Sequence, residues 1–181
     1  FAVHRSLDVR ETSFVLANEG RRLIDCDRLS VVLRRGGRFQ VECISGLESI
    51  DRRAAEVRRL AELAETVAAA GEPLWTNGRD ADLAPQIERA LVAHTDVSHA
   101  ALTAVLPLSA VSAEVARQRP FGALVAERFR DARADESFRL RAEMAAKHGG
   151  EALANALAHQ RLFLLPLWRA LGRATAPIGG R

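Results

Sequence analysis

Among its 181 residues the chain has no tyrosine, one lysine (Lys147) and two cysteines, Cys26 and Cys43. Two cysteines are too few for a disulfide framework, and their spacing is not that of a zinc site. No apolar run approaches the roughly 20 residues needed to span a bilayer. The stretch from Leu162 to Leu171 is short and interrupted by Pro166 and Arg169. Phe1-Ala2-Val3-His4 lacks the basic n-region and long apolar segment of a secretory signal, and with no initiator Met it reads as a trimmed start. There is no glycine loop of the phosphate-cradling kind, no HExxH, no GxSxG and no internal repeat.

What is present is ordinary globular composition, 48% hydrophobic and 27% charged, at a length that suits one domain with a real core. The formal charge is +3, but the arginines alternate with carboxylates, as in "RRAAEVRRLAELAE" at 52–65. That pattern reads as a solvated, salt-bridged helix face and not as a nucleic-acid surface. Arginine in place of lysine, abundant alanine and missing tyrosine point to GC-rich codon usage more than to chemistry.

Asp8 and Glu11 form a capping-box signature for a first helix, whose apolar stripe is read as Phe14, Leu16, Ala17, Gly20, Leu23 and Ile24. "DRLSVVLRRGGRFQVECIS" reads as two strands around Gly36-Gly37. A two-residue loop pairs Arg35 with Arg38, Val32 with Val41 and Ser30 with Cys43. In that register Cys26 lies four positions from Cys43, too far for a disulfide, whose Cα atoms stay within roughly 7 Å. Leu29, Val31, Leu33 and Ile44 then share one face, while Ser30, Val32, Val41, Cys43 and Ser45 share the other. Asp51 is placed as the cap of a second helix, with Val57, Leu60, Ala64, Val67 and Ala68 inward and Gly71 as its stop. "EPLWT" is a short strand, and Asp82 is read as capping a brief helix to His94. "HAALTAVLPL" and "PFGALVAERF" are two further strands, joined by a loop with a helical turn near 112–117. A last helix runs from Asp135 to about Gln160, weakened at Gly149-Gly150. The tight hairpin, and the lack of a helix between the last two strands, favour an antiparallel sheet with helices on its faces, an α+β fold with long N- and C-terminal helices.

This order, with Leu7-Asp8, "EGRRLIDCDRLSVVL", "GEPLW" and "AVLPL...FGALVAERF", resembles a GAF domain over roughly residues 7–160. The phrases "HRSLDVRET...ANEGRRLIDCDRLSV", "LAPQIERAL...HAALTAVLPL" and "HGGEALANALAHQRLFLLPLWRALG" are similar to the amino-terminal GAF region of bacterial HlyD-type membrane-fusion proteins, the efflux and secretion adaptors. That resemblance implies a domain over 1–160 and a juxtamembrane connector over 161–181, ahead of a membrane helix. It also implies a cytoplasmic position at the inner membrane, which Arg169, Arg173 and Arg181 suit under the positive-inside rule. Packing of the same run on its own domain is the other reading.

GAF domains often bind a small molecule between the sheet and its covering elements, which implies a pocket formed from Ser30, Cys43, Ser45, Trp75, His99 and Thr103. Each of these is also an ordinary space-filling or backbone-satisfying residue. "HTDVSH" (94–99) has metal-ligand and triad composition in His94, Asp96, Ser98 and His99, yet at a helix-to-strand junction these are common turn and cap residues. Neither cysteine matches the loop cysteines of bilin-attaching or sulfoxide-reducing GAF domains, and the Asn-Lys...Phe...Asp-Glu pattern of cyclic-nucleotide binders is absent. The expectation is a non-enzymatic sensory domain without a cofactor, binding an unidentified small molecule. The competing expectation is a ligand-free scaffold, homodimeric through its terminal helices, with Leu164, Leu165 and Trp168 at the interface.

Overall fold

The computed structural model describes residues 6–76, 83–109, 119–130 and 133–174, with side chains as far as residue 160. Asp82, the 112–117 turn and the side chains of Leu164, Leu165 and Trp168 lie outside the described residues.

Helix α1 spans Val9–Ile24. Asp8 caps it by accepting the Glu11 N–H at 2.9 Å. The reciprocal half of the box is relayed through Ser6, whose Oγ accepts the Asp8 N–H at 3.0 Å and donates to Glu11 at 2.6 Å. Val9, Leu16, Ala17, Gly20 and Ile24 are buried. Phe14 and Leu23, read from the sequence as part of the inward stripe, are instead exposed. In their place Thr12 and Ser13 turn inward, each hydroxyl donating to the carbonyl four residues back.

Strands β1 (Arg28–Arg35) and β2 (Arg38–Ile44) form the expected hairpin. Gly36 and Gly37 take φ of 57° and 89°, a left-handed pair that suits a type I′ turn and strains any side chain. The register follows the turn from Arg35↔Arg38 to Val32↔Val41 and then shifts, so that Val31, not Ser30, faces Cys43. A β-bulge supplies the shift, with Glu42 as the extra residue on β2. A one-residue slip reverses which face each later side chain occupies. Cys43 therefore joins Leu29, Val31 and Leu33, while Ile44 crosses to the side of Val32 and Val41, the reverse of the sequence reading.

Helix α2 covers Ala55–Ala70 and ends at Gly71, whose N–H donates to the Val67 carbonyl. Asp51 stops a turn earlier than a cap would, accepting the Arg53 N–H at 2.9 Å, and Ala54 occupies the cap position. Leu60, Leu63, Ala64, Val67 and Ala68 are buried, whereas Val57 is half-buried at the edge. Strand β3 is Leu74–Thr76, and α3 runs over Pro85–Ser98, one turn past His94. Strands β4 (Leu102–Leu108) and β5 (Gly122–Arg128) follow.

Helix α4 spans Glu136–Ala174. Asp135 opens it, accepting from the Phe138 N–H at 2.7 Å and the Ser137 hydroxyl at 2.8 Å. Those bonds hold the Asp135 carboxyl below its ordinary range. Gly149-Gly150 does not break this helix. A Cβ on Gly149 would stand 2.6 Å from both methyls of Leu16, so the glycine permits α4 to lie directly on α1. Among the described residues no helix is long and apolar enough to cross a membrane.

All five strands pair antiparallel in the order β2-β1-β5-β4-β3. Helices α1 and α4 cover one face over Leu29, Val31, Leu106, Leu124 and Ala126. On the other, α2 packs over Val32, Val41, Val105 and Val125, and α3 packs against α2. This is the expected helix-covered antiparallel α+β architecture.

Candidate functional site

The α2/α3 face changes character along the strands. Past Val105 and Val125 the sheet register aligns Thr76, Thr103, Glu127 and Arg28 in one row across β3, β4, β5 and β1. Glu127 is wholly buried in the centre of this row. Its Oε2 accepts from Arg28 Nε at 2.6 Å, and its Oε1 from the same guanidinium at 2.9 Å. A bidentate pair of this kind combines charge with fixed geometry. From above, α3 presents His94, also wholly buried, whose Nε2 lies 2.9 Å from Glu127 Oε1. Arg28 further pairs with Glu56 of α2 and stacks over Phe129, 5.1 Å from the ring centre. Four charged or polar side chains thus link two central strands to both helices of this layer.

Burial alone would raise the Glu127 pKa, but hydrogen bonds from His94 and Arg28 and the guanidinium charge outweigh it and hold the carboxyl below its usual range. With Glu127 ionised, His94 Nε2 must be the donor. His94 Nδ1 then has no hydrogen-bond partner among the described residues. Two neighbouring hydroxyls share that condition, Ser30 Oγ and Thr103 Oγ1, both on this face and both buried. Most buried polar atoms in proteins are paired, so three unpartnered ones around a single carboxylate mark this as the candidate site.

The six pocket residues expected from sequence separate into three groups. Thr103 on β4 pairs directly with Glu127, and Ser30 on β1 is diagonal to it, directly opposite Val125. Ser45 extends the β1–β2 ladder, its N–H donating to the Leu29 carbonyl and its Oγ accepting the Leu29 N–H. His99 is exposed, capping α3 in the left-handed conformation with its N–H on the Thr95 carbonyl. Trp75 and Cys43 are on the opposite face. The Trp75 ring meets Phe138 edge-on at 6.2 Å under the Arg139 guanidinium. The six are therefore not brought together: Ser30 and Thr103 lie on the α2/α3 face, whereas alternation along β3 and the bulge in β2 send Trp75 and Cys43 to the α1/α4 layer.

Sequence reading missed Glu127, Arg28 and Glu56, and saw His94 only as part of "HTDVSH". His94 is buried while Asp96 and His99 are exposed, so the three do not converge. One signal was available: β1 begins on Arg28, and β5 carries Glu127 directly after the apolar run 123–126, opposite charges at the edge of two apolar stretches. Both cysteines are free and buried, and burial pushes the Cys26 thiol up to about 12 and that of Cys43 to about 11. Neither forms appreciable thiolate at neutral pH.

On the other side of the sheet, the residue after Glu127 has a complementary role. Arg128 donates to the Asp25 carbonyl at the end of α1 and to the Arg133 carbonyl, and lies 4.4 Å above the Phe138 ring of α4.

No family profile matches the sequence, and no curated protein matches it. Solved structures do match in fold. The blue-light absorbing form of the Thermosynechococcus elongatus PixJ GAF domain is 19% identical, with 98% of each chain covered and a TM-score of 0.53. A GAF domain from Pseudomonas syringae pv. tomato, ascribed to a sensor histidine kinase, is 17% identical, covering 92% of this chain and 88% of its own, with a TM-score of 0.57. The GAF domain/HD domain protein of Geobacter sulfurreducens is 14% identical, covering 86% of this chain and 98% of its own, with a TM-score of 0.55. The fold is that of GAF domains.

Proposed function

We propose that this GAF-fold domain is a non-catalytic sensory module that binds a small molecule on the α2/α3 face, over the Arg28–Glu127–His94 cluster. The observation that carries the reading is the set of three unpartnered buried atoms, Ser30 Oγ, Thr103 Oγ1 and His94 Nδ1, around one ionised carboxylate. A ligand that replaces those missing hydrogen bonds gains affinity from groups whose desolvation has already been incurred. The sensory character is supported by the fold's occurrence in PixJ and in a protein ascribed to the sensor kinases. Binding signals only if the ligand favours one of two conformations, since equal affinity shifts neither.

The test is a thermal-shift screen of metabolites and nucleotides against wild type and a Ser30→Ala/Thr103→Val double variant. A ligand at 100 times its Kd stabilises the wild type by roughly 2.7 kcal/mol. A screen without a hit, or a hit whose shift is the same in the double variant, removes the site.

The proposal includes the setting implied by the sequence: a cytoplasmic domain of an inner-membrane adaptor of the membrane-fusion type, with residues 161–181 leading to the membrane. The similarity of "HGGEALANALAHQRLFLLPLWRALG" and the flanking arginines support it. The gene sequence beyond codon 181 tests it. Without an apolar span of roughly 20 residues there, the membrane attachment fails.

A second reading, dimerisation through the terminal helices, is favoured by Leu140 and Met144. They are 58% and 48% exposed and one turn apart on α4. Sedimentation of wild type against Trp168→Asp and Leu140→Asp/Met144→Asp tests it, and an unchanged mass in both variants ends that model.

A further inference from the structure

The site proposed over Glu127 lies beneath α3, the most lightly held of the four helices. Of its 14 residues, Leu91, His94 and Ser98 are buried, against seven buried residues in α1 and five in α2. Val92 and Val97 are exposed. No side chain caps its start, and His99 ends it in the left-handed region at φ 56°. It packs on α2, with only slight contact to any strand. Among the described residues, the bond between His94 Nε2 and Glu127 Oε1 is the sole side-chain hydrogen bond from α3 to another helix or strand. Both ends of that bond tolerate its loss. Glu127 keeps the two hydrogen bonds from Arg28, and His94 gives up a single contact, since its Nδ1 has no partner. A buried carboxylate with no other partner would hold the helix shut; one already gripped bidentately does not.

We infer that α3 is the lid of this site and that the His94–Glu127 hydrogen bond is its latch. The lid's purpose rests on the ligand-binding reading above; its motion does not. Segments with few buried apolar side chains open at a lower free energy than the whole fold, and lids are drawn from them. With α3 lifted, Glu127 Oε1 is short of one donor, and Thr103, paired directly with Glu127, is uncovered beside it. A ligand entering the open form takes the place of His94 by bringing an N–H or O–H donor to Glu127, with the Thr103 hydroxyl alongside. His94 is thus a positioning residue: it fixes α3 and fills the donor position until a ligand replaces it.

A cysteine introduced at position 103 reads the motion on the whole chain without any ligand. Thr103 is buried and its hydroxyl has no partner among the described residues, so Thr103→Cys removes no hydrogen bond. The native thiols Cys26 and Cys43 are buried in the α1/α4 layer and serve as the internal reference for opening of the whole fold. Reaction with a thiol reagent at about pH 8 is followed at each cysteine by peptide mass spectrometry. The introduced cysteine is expected to react at least about tenfold faster than Cys26 and Cys43 in the same chain. Adding His94→Leu raises that rate by about a further tenfold, the size of effect that loss of a hydrogen bond to a charged group gives, and leaves the two native thiols as they were. His94→Gln, whose amide nitrogen still donates to Glu127, keeps the parent rate. Three outcomes overturn the lid: an introduced cysteine that reacts only in step with the native two, a rate indifferent to His94→Leu, or His94→Leu accelerating all three thiols alike. A thermal-shift screen without a hit removes the ligand and leaves these rates untouched, so failure of the site and failure of the lid are told apart.

Discussion

Glu127 is a carboxylate that burial tends to neutralise and that Arg28 and His94 keep ionised. Its folded pKa lies below its unfolded value, so in acid the unfolded chain takes up the proton first. The resulting stabilisation is complete above the unfolded pKa of about 4.3 and is lost as pH falls through the folded value. Denaturant midpoints of wild type are therefore expected to fall more steeply below about pH 4.3 than those of Glu127→Gln, which has nothing to protonate there. At neutral pH Glu127→Leu is expected to cost about 3 kcal/mol, the lower end for breaking a buried pair, because Arg28 is part-exposed and keeps Glu56. Chemical denaturation measures both. The cysteines lead to a second residue-scale expectation. With both thiols buried and held protonated, a thiol reagent at about pH 8 should label neither in the native protein and both in denaturant. Rapid native labelling would show that the α1/α4 layer opens readily.

Among the elements, α4 provides a paired test in adjacent glycines. Gly149 meets Leu16 at 2.6 Å, while the nearest atom to a Cβ on Gly150 is a Leu108 methyl at 3.6 Å. Gly150→Ala should raise stability by up to about 1 kcal/mol through helix propensity. Gly149→Val should lower it by about 1–3 kcal/mol through overpacking against a buried leucine. Thermal melts of the two variants should move in opposite directions. The same elements show what the sequence made legible. Gly36-Gly37 was enough to place the hairpin and its first four pairs, because the turn alone determines register near the loop. The bulge was not legible: Glu42 has no local mark of an extra residue, and its carboxylate is held by Arg35 across the strand pair. That single residue inverted the expected faces of Cys43 and Ile44. The α1 stripe failed at Phe14 and Leu23 for a related reason. Periodicity counts apolar residues, whereas Thr12 and Ser13 enter the core by bonding their hydroxyls within the helix. The candidate site was the least legible part, since Arg28 lies 99 residues from Glu127 and His94 lies 33 from it. Only the sheet order brings β1 beside β5.

For the whole molecule, the sheet divides two layers that differ in kind. One holds the Glu127–Arg28–His94 cluster under α2 and α3; the other packs α1 and α4, the first and last of the described elements. If the domain signals, a change in the first layer must alter the second. A double-mutant cycle on Glu127→Gln and Arg128→Gln measures whether it does. Coupling beyond about 0.5 kcal/mol indicates communication, and strict additivity indicates that the layers are energetically separate.

Glu127 and Arg128 are consecutive residues of a central strand, so their side chains leave the sheet in opposite directions. One grips His94 and Arg28, the other the carbonyl that closes α1 and the ring that opens α4. The two layers thus meet across one peptide unit. A small tilt of β5 would act like a lever pivoted in the sheet, tugging the ends of both outer helices without any loop having to carry the message around the edge.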